Sequence, residues 1–345
     1  MGRHRAAAAC TLTIGNLLFL NQHTPALEVM LDAKAKFEVM GDRMGAAQCM
    51  KSIGNALLML DRYGGALSKL EQAKAEFDTI GDRVGAAQCM SSIGETLHML
   101  YRFDDALANL EQAKAEFDTI GNRLGAAQCM QSIGRTLHIL NRCDDALSNL
   151  EQAKAEFESI GDGLGAAQCM QRIGDTLCVL DRYDDALSKV EQAKAEFEII
   201  GDRLGAAQCM QSIGDTLRML HRYDDSLSNL EQAKAEFDTI GNRLGAAQCM
   251  QSIGDTLRML HRYDEALSSL EQAKVDFELI DDRLGIAGCG VHLAGLAMDE
   301  GDSKRAQFLF RQSLAIYQEI GVPGHAEECR GKLEVLQSRT SSSNV

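Results

Sequence analysis

Eleven cysteines and eight histidines are the residues of this 345-residue chain best suited to chemistry, and their spacing limits what they can do. Cys49, Cys89, Cys129, Cys169, Cys209, Cys249, Cys289 and Cys329 recur at intervals of 40 residues. There is no Cys-x-x-Cys motif and no Cys/His cluster with zinc-ligand spacing. The pattern predicts small buried thiols in a reducing compartment, with no disulfide and no metal site. His98 and His138 occupy equivalent places one period apart, with no nucleophile or carboxylate pair beside them. Each reads as a hydrogen-bonding or solvated residue. No phosphate-cradling Gly-x-x-x-x-Gly-Lys loop and no dinucleotide fingerprint occurs. The expectation is a chain without catalytic residues and without a cofactor.

Those residues are positioned by repetition. GAAQCMQSIGDTLRML stands at 205–220 and again, letter for letter, at 245–260. Looser copies begin at Gly45, Gly85, Gly125 and Gly165. In the unit 41–80, Ala46, Met50, Ile53, Leu57 and Leu60 fall on one stripe of a helix. Ala66, Leu70, Ala73, Phe77 and Ile80 form a second stripe after a short polar break at 61–64. Each unit is therefore predicted to be a helical hairpin. Gly81 should end the second helix and Asp82 cap the next first helix, while Asp104 and Asp184 are candidate caps of second helices. Gly54 and Ala66 are small where the two helices should cross.

Composition sets the wider limits. A content of 45% hydrophobic residues with only two prolines suits an all-helical array. No apolar run reaches the ~18 residues of a membrane span. The opening MGRHRAAAAC lacks the apolar core of a secretion signal, so the expected compartment is the cytoplasm. A formal charge of −15 argues against nucleic acid as a partner.

The order small-x-x-Met-x-x-Ile-Gly-x-x-Leu, then Tyr-Asp-Asp-Ala, then Leu-x-x-Ala, resembles the tetratricopeptide repeat. In 201–240 the signature positions are Met210, Ile213, Gly214, Leu217, Tyr223, Ser226, Leu230 and Ala233. Met replaces the usual early aromatic, and the Pro that closes the common 34-residue unit is absent. The longer unit, ending Ile-Gly-Asp/Asn, is similar to the repeats of LGN/Pins scaffolds, kinesin light chains and some fungal signalling proteins. The resemblance implies an all-α fold, a right-handed α-solenoid (superhelix) of tetratricopeptide-repeat hairpins. It also implies a protein–protein interaction scaffold. We expect a single array over 1–337, with a degenerate unit at 1–40 and six near-identical units over 41–280. A divergent unit at 281–320 and a closing helix at 321–337 complete it, and a disordered tail follows at 338–345. The apolar start of the first helix, Ala6 to Cys10, leaves the front thinly capped and suggests self-association there.

The six near-copies can be compared with one another. Four places in the first helix change most. They read Lys51, Ser91, Gln131, Gln171, Gln211, Gln251; Asn55, Glu95, Arg135, Asp175, Asp215, Asp255; Leu58, His98, His138, Cys178, Arg218, Arg258; and Asp61, Tyr101, Asn141, Asp181, His221, His261. Spacings of four, three and three predict one helical face. The resemblance implies that this side lines the concave surface where peptides or helices bind. Drift of duplicated units at solvated positions is the competing account. Against it, Lys74 recurs in all six copies and Glu76 in five. Asp215/Arg218 and Asp255/Arg258 stand three apart, as self-neutralising pairs would. Lys51, Asn55 and Arg135 resemble part of the carboxylate clamp of chaperone-tail receptors in this repeat class. Glu95 would repel such a carboxylate and Gln131 replaces a Lys, so a clamp of that type is not expected. The expected partner is a protein or peptide, with no nucleic acid and no membrane. The alternative is a structural or regulatory repeat array of a larger signalling protein that self-associates or packs on its own chain.

Overall fold

The structure is a computed structural model that describes residues 2–19 and 23–342, with side chains over 4–18 and 25–337. Among the described residues the chain forms 17 helices and no strand. It is an all-α chain of stacked helical hairpins, divided into two compact units, Met1–Cys169 and Met170–Val345.

The first unit holds hairpins α1 (Gly2–Phe19) with α2 (His23–Val39), α3 (Arg43–Met59) with α4 (Tyr63–Ile80), and α5 (Arg83–Met99) with α6 (Phe103–Thr119). Helices α7 (Arg123–Ile139) and α8 (Cys143–Ile160) follow, and the division falls inside α9 (Gly163–Val179). The second unit continues with α10 (Tyr183–Ile200), α11 (Arg203–Met219), α12 (Tyr223–Ile240), α13 (Arg243–Met259) and α14 (Tyr263–Leu279). It closes with α15 (Arg283–Asp299), α16 (Ser303–Ile320) and α17 (Pro323–Ser342). The tail expected from 338 is helical as far as Ser342, and 343–345 lie outside the described residues. No helix among the described residues is long and apolar enough to cross a membrane.

From α2 onward, turns of two or three residues join these helices. After α4, Gly81 takes φ 82° and Asp82 N–H bonds the Phe77 carbonyl at 2.9 Å, closing a Schellman turn. Asp82 then caps α5 by accepting from Gly85 N–H at 3.1 Å. The turn after α5 has the same geometry on a different residue. Tyr101 takes φ 58° and Arg102 N–H bonds the Leu97 carbonyl at 2.9 Å. Here the cap expectation needs correcting. Arg102 and Arg182 occupy the N-cap without a side-chain bond, because the Schellman closure uses them directly. Asp104 and Asp184 fall inside the first turn, where their charge faces the helix dipole.

The fourth variable place is corrected too. Asp61, Tyr101, Asn141, Asp181, His221 and His261 all have φ between 56° and 59°, so they are left-handed turn residues beyond the helix. Asp, Asn and His adopt that conformation more readily than Tyr, which carries more strain. Tyr101→Asn is expected to stabilise the chain by about 1 kcal/mol, read as a higher urea midpoint at unchanged slope. A lowered midpoint would show that the edge contact of Tyr101 with Phe103, 6.0 Å between ring centroids, outweighs the strain.

Packing follows the repeated letters. A Cβ on Gly94 would lie 2.6 Å from Leu110 Cγ and 3.2 Å from the Ala106 carbonyl, so glycine is what lets α5 and α6 cross. The degenerate first hairpin keeps this crossing, with Gly15 against Met30, and residues 20–22 between its helices lie outside the described ones. Between hairpins, Phe77 fills the space bounded by Ala47, Met50, Ala73, Ala86 and Cys89. Arg83 bonds Glu116 at 2.7 Å and Lys74 bonds Asp78 at 2.8 Å. These pairs give a structural reason for the constancy of Glu76, Lys74 and their equivalents.

Candidate functional site

First helices of successive hairpins touch one another: α1 with α3, α3 with α5 and α5 with α7 in the first unit, and α11 with α13 and α13 with α15 in the second. Second helices make no comparable contacts with each other among the described residues. The first helices therefore form the more closely spaced row, and the variable letters lie on it.

Many of those letters bond the next hairpin. Lys51 Nζ donates to Gln88 Oε1. Ser132 Oγ donates to Glu95 at 3.4 Å, Gln131 Nε2 to Gln168 at 3.1 Å, and His98 Nδ1 meets Thr136 Oγ1 at 2.9 Å. In the second unit Ser212 donates to Asp175 at 3.0 Å and Cys178 meets Thr216 at 3.1 Å. The offset is 37 or 38 residues throughout, so this is a ladder between neighbouring first helices.

The late charges follow the same rule. Arg218 pairs with Asp255 of the next hairpin at 3.0 Å, while Arg218 and Asp215 within one helix are 4.0 Å apart. Arg258 bonds Asp255 at 2.9 Å and also Asp299 at 2.6 Å. The self-neutralising pair expected at Asp255/Arg258 is present, whereas Arg218 lies closer to Asp255 of the next hairpin than to Asp215 of its own helix. Burial alone would raise the Asp255 pKa, but the His292 hydrogen bond and the His292, Arg218 and Arg258 charges hold it below the ordinary range. Glu95 moves the other way, pushed up by burial against the pull of Arg135 and Ser132. Burial lowers the Lys51 ammonium.

Burial sorts the predicted positions. His98, Gln171 and Asp255 are buried in the wall. Asn55 is exposed, while Lys51, Ser91, Glu95, Gln131, Arg135, His138, Asp175, Gln211, Asp215, Arg218, Gln251 and Arg258 are half-buried. Two exposed apolar columns escaped sequence reasoning. One opens the first helices (Val84, Leu124, Leu164; then Leu204, Leu244, Leu284). The other closes them (Met59, Met99, Ile139; then Val179, Met219). On α7 the order Leu124, Gln128, Gln131, Arg135, Ile139 has spacings of four, three, four and four, one helical face. A polar lane thus runs between apolar edges. Its signal in the sequence was apolar letters outside the packing stripe.

The eight cysteines spaced at 40 are all buried, as expected, while Cys10 is exposed. All eleven cysteines are free, and burial pushes the Cys89 thiol up to about 12 and that of Cys49 to about 11. Such groups are poor nucleophiles and poor metal ligands. No cluster of three metal-ligating side chains occurs among the described residues.

Comparison with known proteins agrees with this architecture. The tetratricopeptide-repeat family matches residues 85–158, 166–235 and 220–274, more than half of the chain. No curated protein matches the chain by sequence. Among solved structures, a Rap protein complexed with Competence and Sporulation Factor is similar over 98% of this chain and 99% of its own, with TM-score 0.66 and 12% identity. The Rap conjugation gene regulator of plasmid pLS20, in complex with the Phr* peptide, matches over 93% and 97% with TM-score 0.66 and 13% identity. The apo quorum sensor NprR from B. thuringiensis matches over 94% and 98% with TM-score 0.57 and 11% identity. At these identities the likeness is one of fold.

Proposed function

The chain belongs to the tetratricopeptide-repeat family, and from that premise we propose that it is a non-catalytic protein-interaction scaffold. Its first-helix face holds a peptide or partner segment. The observation that carries this reading is the lane itself: polar groups that differ from hairpin to hairpin, edged by exposed apolar columns. Packing alone does not require exposed Leu, Met and Ile at every period. Two solved structures of similar fold are described as complexes with Competence and Sporulation Factor and with the Phr* peptide, which favours a peptide over a folded partner. The buried free thiols suit a reducing compartment, the cytoplasm.

Random peptides displayed against the full chain test the proposal. Binders recovered on the wild type are measured on a variant carrying Asn55→Ala, Leu124→Ser, Leu204→Ser and Met219→Ser, all exposed positions. The expected loss is about tenfold or more for each binder, the scale of lost interface anchors. Equal binding to the variant would sink the scaffold reading.

A second reading rests on the front end. Ile14 and Leu17 of α1 are 51% and 61% exposed, and Val39 of α2 is 90% exposed. Val39 also lines a cavity of about 570 Å³ with Ala7, Ala35 and Met40. A second copy covering this face would give a self-associating array. Sedimentation of the chain should then show a concentration-dependent dimer that Leu17→Lys abolishes; a strict monomer at high concentration rejects it.

A further inference from the structure

The first hairpin differs from the later ones in the charges it carries. Gly15 stands for Gly54 on the first helix, and Ala26 for Ala66 on the second. By the same offsets His4 takes the place of Arg43, and Lys36 that of Glu76. Arg43 and Glu76 form an ion pair at 2.7 Å, repeated in Arg83–Glu116, Arg123–Glu156 and Arg203–Glu236. The first hairpin thus has two nitrogen bases where those hairpins have a base and an acid.

Both bases line the cavity of about 570 Å³ on α1 and α2. Its other walls are Ala7, Ala35, Val39 and Met40, and no carboxylate lines it among the described residues. The matching place one hairpin on, a cavity of about 480 Å³, is lined by Glu38, Asp42 and Glu76 against Lys34 and Arg43. Asp32 does meet Lys36 at 2.5 Å, but both are about half exposed, and such a pair holds weakly. Glu38 is taken by Lys34 and Asp42 by Arg5. The volume lies within the range of ligand pockets, about 300–1,000 Å³. Apolar walls with two nitrogen donors and no acid suit an apolar body with a negative head, and they oppose a cation. A hairpin of the array's own type does not seat here. Gly45 leaves room for the Phe37 ring, to which a Cβ would come within 2.3 Å, and the front has Ala6 in that place.

We infer that this cavity binds a small amphipathic anion, an acyl chain with a carboxylate head. The chain lies against Ala7, Ala35, Val39 and Met40, and the head accepts hydrogen bonds from the Lys36 ammonium and the His4 ring N–H. The inference goes beyond the scaffold reading and does not depend on it.

Methionine-methyl NMR of the full chain, with Met40 assigned through Met40→Leu, reads the cavity directly. Decanoate should shift the Met40 methyl saturably, decanol should bind several-fold more weakly, and decyltrimethylammonium more weakly still. Shortening decanoate to octanoate should weaken it about fifteenfold, about fourfold for each buried methylene. Lys36→Glu, which installs the residue of the later hairpins, should weaken decanoate about tenfold and leave decanol unchanged, because an attraction becomes a repulsion. The circular-dichroism melt of that variant checks its fold, and Lys36→Gln should give a smaller loss of the same sign. An unmoved Met40, equal binding of decanoate and decyltrimethylammonium, or equal decanoate binding by Lys36→Glu overturns the inference. Capture of the chain by phosphatidylglycerol vesicles, with Met40 silent to decanoate, would put a membrane on this face. A Met40 shift that follows protein concentration alone would put a second copy there. Either result also overturns it.

Discussion

Replacing Phe157 by alanine is expected to cost the first unit about 3–5 kcal/mol, the scale for a buried aromatic truncated in a packed core. Phe157 is 1% exposed and fills the space among Ala127, Met130, Ala153, Ala166 and Cys169. Its ring also takes the volume that Gly165 vacates, since a Cβ there would lie 2.6 Å from Phe157 Cδ1. Apart from Met130 its neighbours there are small, so the hole is at most partly refilled. In an array whose hairpins contact only their neighbours, one such core is a link in a series, and its loss lowers the stability of everything coupled through it. Urea unfolding followed by circular dichroism checks this. Ile199→Ala, at a side chain 78% exposed, is the control and should change stability by less than about 0.5 kcal/mol. A Phe157→Ala loss no larger than the control's would show that the hairpins are not held together by these aromatic fillings.

Asp255→Ala should cost a similar amount for an electrostatic reason. Asp255 is 5% exposed and faces Arg218, Arg258 and His292. Removing it leaves two half-buried guanidinium groups with their shared anion gone, the situation in which breaking a buried pair costs about 3–5 kcal/mol. The pH dependence has a definite sign. The folded-state pKa of Asp255 is held below its unfolded value, chiefly by His292 and the two arginines working against burial. Its contribution is therefore fully present above an unfolded pKa of about 3.9 and is lost as pH falls below that toward the folded value. The stability difference between wild type and Asp255→Ala should shrink in acid as pH falls below about 4. A difference that persists unchanged in acid would mean that packing of the side chain, rather than its charge, supports the wall.

Much of the fold was legible because packing repeats its letters. The 40-residue period, the cap at Asp82, the turn at Gly81 and the crossing at Gly54 each follow from a local residue requirement, and the structure has all four. The second-helix caps were misread because the two kinds of turn share one geometry but differ in sequence. In the six near-identical units Gly marks the left-handed residue in one, whereas Asp, Tyr, Asn or His occupies it in the other. A turn without glycine hides where its helix begins. The ladder was illegible for a different reason. A contact such as Arg218–Asp255 links residues 37 apart, and only the stacking distance of the first helices reveals that offset. Reading Asp215 and Arg218 as a pair within one helix was reasonable by spacing, but the neighbouring hairpin is closer.

The central claim is that a partner segment lies on the first-helix face. Site-specific photo-crosslinking tests it most directly. A benzophenone amino acid is placed at Leu204, on the exposed apolar edge of the lane, or at Glu231, exposed on the second helix of the same hairpin. A display-selected peptide is then irradiated with each full-length chain. The account predicts covalent capture from Leu204 and none from Glu231; capture from Glu231, with Leu204 silent, would contradict it.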